Sequence, residues 1–281
     1  LYIAFTIFLQ NLNKVGALCA TGLVILGFSS VSLAQPVQSS VQLEGAHIRL
    51  LSAPTMASAL LADTLTLQPD EQLAFLSISL DEGWKTYWRL PGRFGFAPLL
   101  DWSHSANITS IETVFPAPSL FDEGDGTSIG YTGDVLWPVR VQPHDPKEPV
   151  LLNLSLDIGL CQELCLPVSI DLATRLSPSA EDTASLSAVL ALADNLPTSA
   201  VDIPSGAFEQ TNAGLSISLA EVPSASFAVA ENEEGKHSLL QPDGDDALRG
   251  PWRHDAAPTR LTVVATDRGM QVYLLDNQAN Q

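Results

Sequence analysis

From His47 to Leu176 apolar and polar residues alternate with a period of two, the pattern of half-buried β-strands. Leu76-Ser77-Ile78-Ser79-Leu80 follows it. So does Leu152-Asn153-Leu154-Ser155-Leu156-Asp157-Ile158, answered by Val168-Ser169-Ile170-Asp171-Leu172. Segments 47–52, 108–115 and 134–141 are further candidate strands by the same rule. Pro91-Gly92, Pro116 with Pro118, and Pro143 with Pro146 punctuate the series. Many short strands separated by such turns predict an all-β protein whose residues 47–178 form an immunoglobulin-like β-sandwich. Helical periodicity is not expected within that stretch.

The period changes once. Ser179 followed by Asp182 resembles a capping box, Leu186, Val189, Leu190 and Ala193 share one helical face, and Pro197 closes the segment. Residues 179–197 are therefore expected to form a linker helix that joins or caps two domains. Strand patterns return at 215–222, 226–230, 261–266 and 270–275, giving a smaller β domain over 201–281. Gln241 to Pro258 reads as a loop. Its Asp243, Asp245 and Asp246 lack the alternating ligands and bidentate Glu of a calcium loop.

At the N-terminus Lys14 precedes an apolar run from Val15 to Phe28, and Ser32 and Ala34 supply the small residues of a signal-peptidase site. The expected division is a signal peptide over 1–34, cleaved before Gln35, and a flexible lead-in over 35–46. An uncleaved anchor is the alternative, since Val15 to Ala34 is just long enough to span a bilayer. Cleavage would remove Cys19 and leave two cysteines, Cys161 and Cys165. An even count in an exported chain favours a disulfide.

Charge narrows the choice of partner. Thirteen Lys and Arg against 32 Asp and Glu give a net charge of −19. With no basic stripe, a nucleic-acid partner is not expected. Gly-x-Ser-x-Gly, His-Glu-x-x-His and Walker sequences are missing from the chain. Gly124-Asp125-Gly126 has no helix pattern behind it and reads as a turn. Neither a cofactor nor a metal site is expected.

The chemistry concentrates in Gly159-Leu160-Cys161-Gln162-Glu163-Leu164-Cys165-Leu166-Pro167, between the two clearest strands. Strand parity puts Cys161 with Asn153, Ser155 and Asp157, and Cys165 with Ser169 and Asp171, so both sulfurs belong to the polar face. A three-residue hairpin loop, Gln162-Glu163-Leu164, would bring them within disulfide range. A structural staple closing so short a loop adds only about 2 kcal/mol. An exchangeable pair is the second reading, because exposed disulfides are the labile ones. Soft-metal binding by two thiolates, such as Cu(I), is the third.

The run Gly83-Trp84-Lys85-Thr86-Tyr87-Trp88-Arg89-Leu90-Pro91-Gly92 resembles the amino-terminal periplasmic domain of the thiol:disulfide interchange protein DsbD, in the branch that includes suppressor-of-copper-sensitivity proteins. Asp101-Trp102, Phe115-Pro116-Ala117-Pro118, Gly130-Tyr131-Thr132-Gly133 and Leu136-Trp137-Pro138-Val139 continue the likeness, over about 45–178. It implies an immunoglobulin-like fold, a periplasmic location, and a thiol–disulfide oxidoreductase of the protein-disulfide reductase type, with Cys161 and Cys165 as its catalytic pair. Its partners would be a membrane-embedded thiol reductant and a periplasmic thioredoxin-like protein. With no membrane domain in these residues, membrane contact is expected only through a partner. The rival is a binding module with a structural disulfide, connected with copper handling.

The resemblance also implies a cap loop over the pair, matched by Ser119 to Tyr131 with Phe121, Asp122, Glu123 and Tyr131 as candidates. An ordinary core position is the alternative for Phe121. It further implies that Cys165 carries the mixed disulfide. Asp157 and Glu163 flank the pair without a nearby cation in sequence, so a thiol of low acidity is expected. The cysteine-free second domain is expected to be dispensable for the exchange chemistry.

Overall fold

The computed structural model describes residues 38–176, 184, 186–193, 196–202, 206–211, 213–222, 224–265 and 269–275. The signal-peptide reading and the Ser179–Asp182 capping box lie outside them. Residues from Val37 onward form one compact unit.

In chain order the elements are β1 (Ser40–Leu43), β2 (Ala46–Ser52), α1 (Thr55–Leu61), β3 (Gln72–Leu80), β4 (Lys85–Gly92), β5 (Leu99–Asp101) and β6 (Ile108–Thr113). They continue with β7 (Ser119–Asp122), β8 (Thr127–Thr132), β9 (Asp134–Pro143), β10 (Val150–Cys161), β11 (Cys165–Leu176) and α2 (Leu186–Ala193). The last eight strands are β12 (Pro197–Asp202), β13 (Phe208–Thr211), β14 (Gly214–Ser218), β15 (Ala225–Glu231), β16 (His237–Pro242), β17 (Ala247–Gly250), β18 (Arg260–Ala265) and β19 (Gly269–Leu274).

The fold is all-β, and its first part is the expected immunoglobulin-like sandwich. One sheet runs β1-β2-β3-β9-β6, and the other runs β11-β10-β4-β8-β7, with β5 added against β10. Alternation decides which side chains meet between them. Ile48, Leu50, Leu76, Ile78, Trp137 and Val139 from the first sheet enclose a core with Trp88, Leu152, Leu154, Leu156, Ile158 and Leu160 from the second.

The first sheet is apolar on its outer face as well. Leu51, Leu73, Phe75 and Leu136 point away from the sandwich and are covered by Ala57 and Leu61 of α1 and by Val189 and Leu192 of α2. That explains why β3 is buried nearly throughout. It also revises one expectation. A helix does occur inside the sandwich segment, because seven residues are enough to bury Ala57 and Leu61, four apart on one face, but too few to establish a visible period. The second helix, expected to join or cap two domains, packs on the first sheet beside α1.

A third, eight-stranded sheet follows the order β12-β19-β18-β15-β16-β17-β14-β13. It surrounds its own core of Leu215, Ile217, Leu240, Leu248, Leu261 and Val263. Its other face supplies Phe227, Val229, Val264 and Met270 to the core of the sandwich. Arg89 of β4 pairs with Glu231 of β15 at 2.9 Å, so side chains of both parts meet along β4. The segment expected as a loop from Gln241 contains β17, whose Leu248 is fully buried and whose backbone pairs with β14 and β16. Four residues are too few to stand out by alternation.

Candidate functional site

The two longest strands, β10 and β11, pair without interruption from Val150↔Leu176 to Cys161↔Cys165. Three residues, Gln162-Glu163-Leu164, close the hairpin, with the Gln162 N–H donating to the Leu164 carbonyl at 3.2 Å. The two sulfurs are bonded to each other across a Cα–Cα distance of 4.1 Å.

The cysteines differ sharply in environment. Cys161 stands on an inner strand, flanked by β11 on one side and by Lys85 of β4 on the other. It is 1% exposed. Cys165 begins the edge strand of the sheet and is exposed. Parity places both on one face, as expected, but it could not reveal that this face is covered at one end.

The cover starts at Gly159. A Cβ there would lie 3.0 Å from the Phe96 Cβ and 3.3 Å from the Tyr87 ring. Tyr87 is 1% exposed, and its hydroxyl lies 3.1 Å from each cysteine sulfur. Because the sulfurs are joined and carry no hydrogen, the phenol is the donor to both. Burial, and then the nearby Glu123 carboxylate, push its pKa above the ordinary phenol value.

The proposed cap is a β-hairpin, β7–β8. The Asp122 carboxylate accepts from the Gly124 N–H at 2.9 Å, shaping the turn. Glu123 receives the Lys85 ammonium and the Ser128 hydroxyl. Its pKa is lowered, first by the Lys85 hydrogen bond and then by Ser128. The Lys85 ammonium also sits 5.4 Å from the centre of the Phe121 ring. Phe121 thus shares the face of Lys85, and the hairpin is tied to the strand next to Cys161.

Tyr131 faces the other way. It is 6% exposed, donates its hydroxyl to the Pro116 carbonyl at 2.9 Å and packs against Trp137 at 5.8 Å between ring centres. Alternation on β8 turns it inward, and burial raises its pKa well above the ordinary phenol value. It is a core residue.

The surroundings of the pair are also less purely anionic than sequence neighbours indicate. Lys85, 76 positions before Cys161, is brought beside it by strand pairing. Asp157 is held by the Ser169 hydroxyl across the hairpin. Neither Lys85 nor Tyr87 was legible as a site residue from spacing. The available signal was that both alternate onto one face if Gly83 to Gly92 is read as a strand.

Among the described residues no group of three or more His, Cys, Asp or Glu side chains could hold a metal ion. No helix among them is long and apolar enough to cross a membrane. Leu164 and Leu166, which flank Cys165 in sequence, are exposed, Leu164 by 78%, and Phe94, Phe96 and Leu99 between β4 and the end of β5 are exposed too.

The sandwich thus ends in a disulfide between an inner and an edge strand, next to a strand to which the β7–β8 hairpin is tied. Residues 57–177, less than half of the chain, match the family model described as thiol:disulfide interchange protein DsbD, N-terminal. The structure is similar to the crystal structure of the N-terminal periplasmic domain of ScsB from Proteus mirabilis, with a TM-score of 0.57 and 19% identity. The match covers 85% of this chain and 96% of that one. At such identity the likeness speaks for the fold. No curated protein sequence matches the chain.

Proposed function

We propose that this protein is a periplasmic electron relay, exchanging disulfides through Cys161 and Cys165 between a membrane-embedded thiol reductant and a thioredoxin-like protein. The observation that carries the reading is the asymmetry of the pair. Cys165 is exposed on an edge strand, while Cys161 is buried behind it. An incoming thiolate reaches only Cys165. Its attack forms a mixed disulfide there and breaks the Cys161–Cys165 bond, leaving the electron pair on Cys161. A second thiolate of the same reductant then attacks its own sulfur, departs as a disulfide and leaves both cysteines reduced.

The exposed leucines on either side of Cys165, Leu164 and Leu166, support a protein as the reductant, since exposed apolar surface beside a reactive bond suits a protein contact. The family match of residues 57–177 supports the chemistry, and the periplasmic setting of the similar ScsB domain supports the location.

Redox titration of the folded protein tests the proposal. In a glutathione or thioredoxin buffer the pair should equilibrate while the protein stays folded. A disulfide that resists reduction until the chain unfolds would support the alternative, a binding module with a structural staple.

A further inference from the structure

We infer that Tyr87 is a catalytic residue of this exchange, the hydrogen-bond donor that stabilises Cys161 as the leaving thiolate. The inference rests on the exchange reading above and adds a group that strand spacing did not single out. Its basis is geometric. One phenol hydroxyl sits 3.1 Å from both sulfurs of the bond that must break.

The problem Tyr87 solves follows from burial. When a thiolate attacks Cys165, negative charge develops on Cys161, which is 1% exposed and cannot be solvated by bulk water. A preplaced donor at that sulfur offsets the lost hydration, as donors aimed at developing charge do in other sites. Tyr87 is held there by its own burial and by its ring's close approach to Gly159, where a Cβ would lie 3.3 Å from the ring. As the sulfurs separate, the hydroxyl already contacts Cys161 and need only release Cys165.

Proton and electron accounts close. The attacking sulfur bonds to Cys165, the Cys161–Cys165 bond breaks, and Cys161 takes the electron pair. Tyr87 lends its O–H without losing the proton, since its pKa is pushed above the usual phenol value by burial and by Glu123. The charged groups placed around it are Glu123 in the β7–β8 turn and Lys85 on its own strand, which neutralise one another in an ion pair. Protons on the two final thiols come from water. In the reverse direction the same hydroxyl steadies the Cys161 thiolate as it attacks a mixed disulfide at Cys165.

The experiment uses the full chain. Reduction of the oxidised protein by excess dithiothreitol is followed by stopped flow for wild type and Tyr87→Phe. The thiolate absorbance of Cys161 is titrated in a Cys165→Ser background, with and without Tyr87→Phe. The expected result is reduction slowed by about tenfold, the least that losing a hydrogen bond to a charged group costs. The Cys161 midpoint should rise by about one pH unit for the same reason. Equal rates would overturn the inference, and so would a slower rate with an unmoved midpoint, which would make Tyr87 a structural support. A wild-type disulfide inert to dithiothreitol while folded would instead sink the exchange reading itself. If Tyr87→Phe does not fold, the 13C shift of the Tyr87 phenolic carbon in wild type decides. It should move on reduction, and a shift that stays put refutes the role.

Discussion

The two outer faces of the sandwich are covered in opposite ways. On the first sheet, Leu51, Leu73, Phe75 and Leu136 lie under two helices in an apolar cluster. At the cysteine end of the second sheet, one tyrosine lies against both sulfurs, one phenylalanine sits beside Gly159, and the neighbouring hairpin is tied to Lys85 by an ion pair. The first arrangement gains by excluding water completely. The second excludes it from Cys161 and leaves Cys165 in reach. Continuous apolar cover serves stability, and partial cover leaves one sulfur of the disulfide exposed.

The comparison can be broken most severely by removing the third sheet. A chain cut after Leu196 loses Phe227, Val229, Val264 and Met270 from the sandwich core. At about 1.5–3 kcal/mol for each fully buried large side chain, the loss approaches the whole stability of a domain. Such a chain should be largely unfolded by circular dichroism. A cooperative melt close to that of the full protein would show instead that the sandwich stands alone.

Phe75→Ala, on the helix-covered face, should cost about 3–5 kcal/mol in urea unfolding. Because Phe75 is remote from the sulfurs, the rate of disulfide reduction at low denaturant should not change. A large rate change would mean that the two faces are coupled.

The smallest effect belongs to the tether. Glu123→Gln should loosen the β7–β8 hairpin and speed reduction by a small dithiol by no more than about fivefold, in keeping with the modest worth of a partly exposed ion pair. The tether also has a pH signature. The folded pKa of Glu123 is depressed by Lys85 and Ser128, so its contribution is whole above the ordinary carboxylate range and is lost as pH falls through the lower folded value. The stability gap between wild type and Glu123→Gln should therefore close in acid, and a gap independent of pH would contradict the assignment.

The contrast between the faces also explains what the amino-acid sequence disclosed. β10 and β11 were legible because one face of each is core and the other polar, so Leu152 to Ile158 alternate cleanly. The outer apolar face of β3 was not, because covering helices turn alternation into a nearly continuous buried run. At the site, the hairpin places Cys161 opposite Cys165, as strand parity and loop length required. Parity assigns a face without saying what lies on it. Lys85 and Tyr87 reach the pair from a strand more than 70 residues away, through pairing that no local pattern reports. Tyr131 shows the reverse case. It sits near the cap in sequence, yet its parity on β8 sends it into the core.

The central claim is that exchange enters through the exposed sulfur, and covalent trapping tests it most directly. Cys161→Ser and Cys165→Ser are each mixed with a thioredoxin-like protein, and the mixed disulfides are mapped by mass spectrometry. The account predicts a stable complex through Cys165 in Cys161→Ser and little or none in Cys165→Ser. Equal trapping by both variants, or trapping only through Cys161, would contradict it.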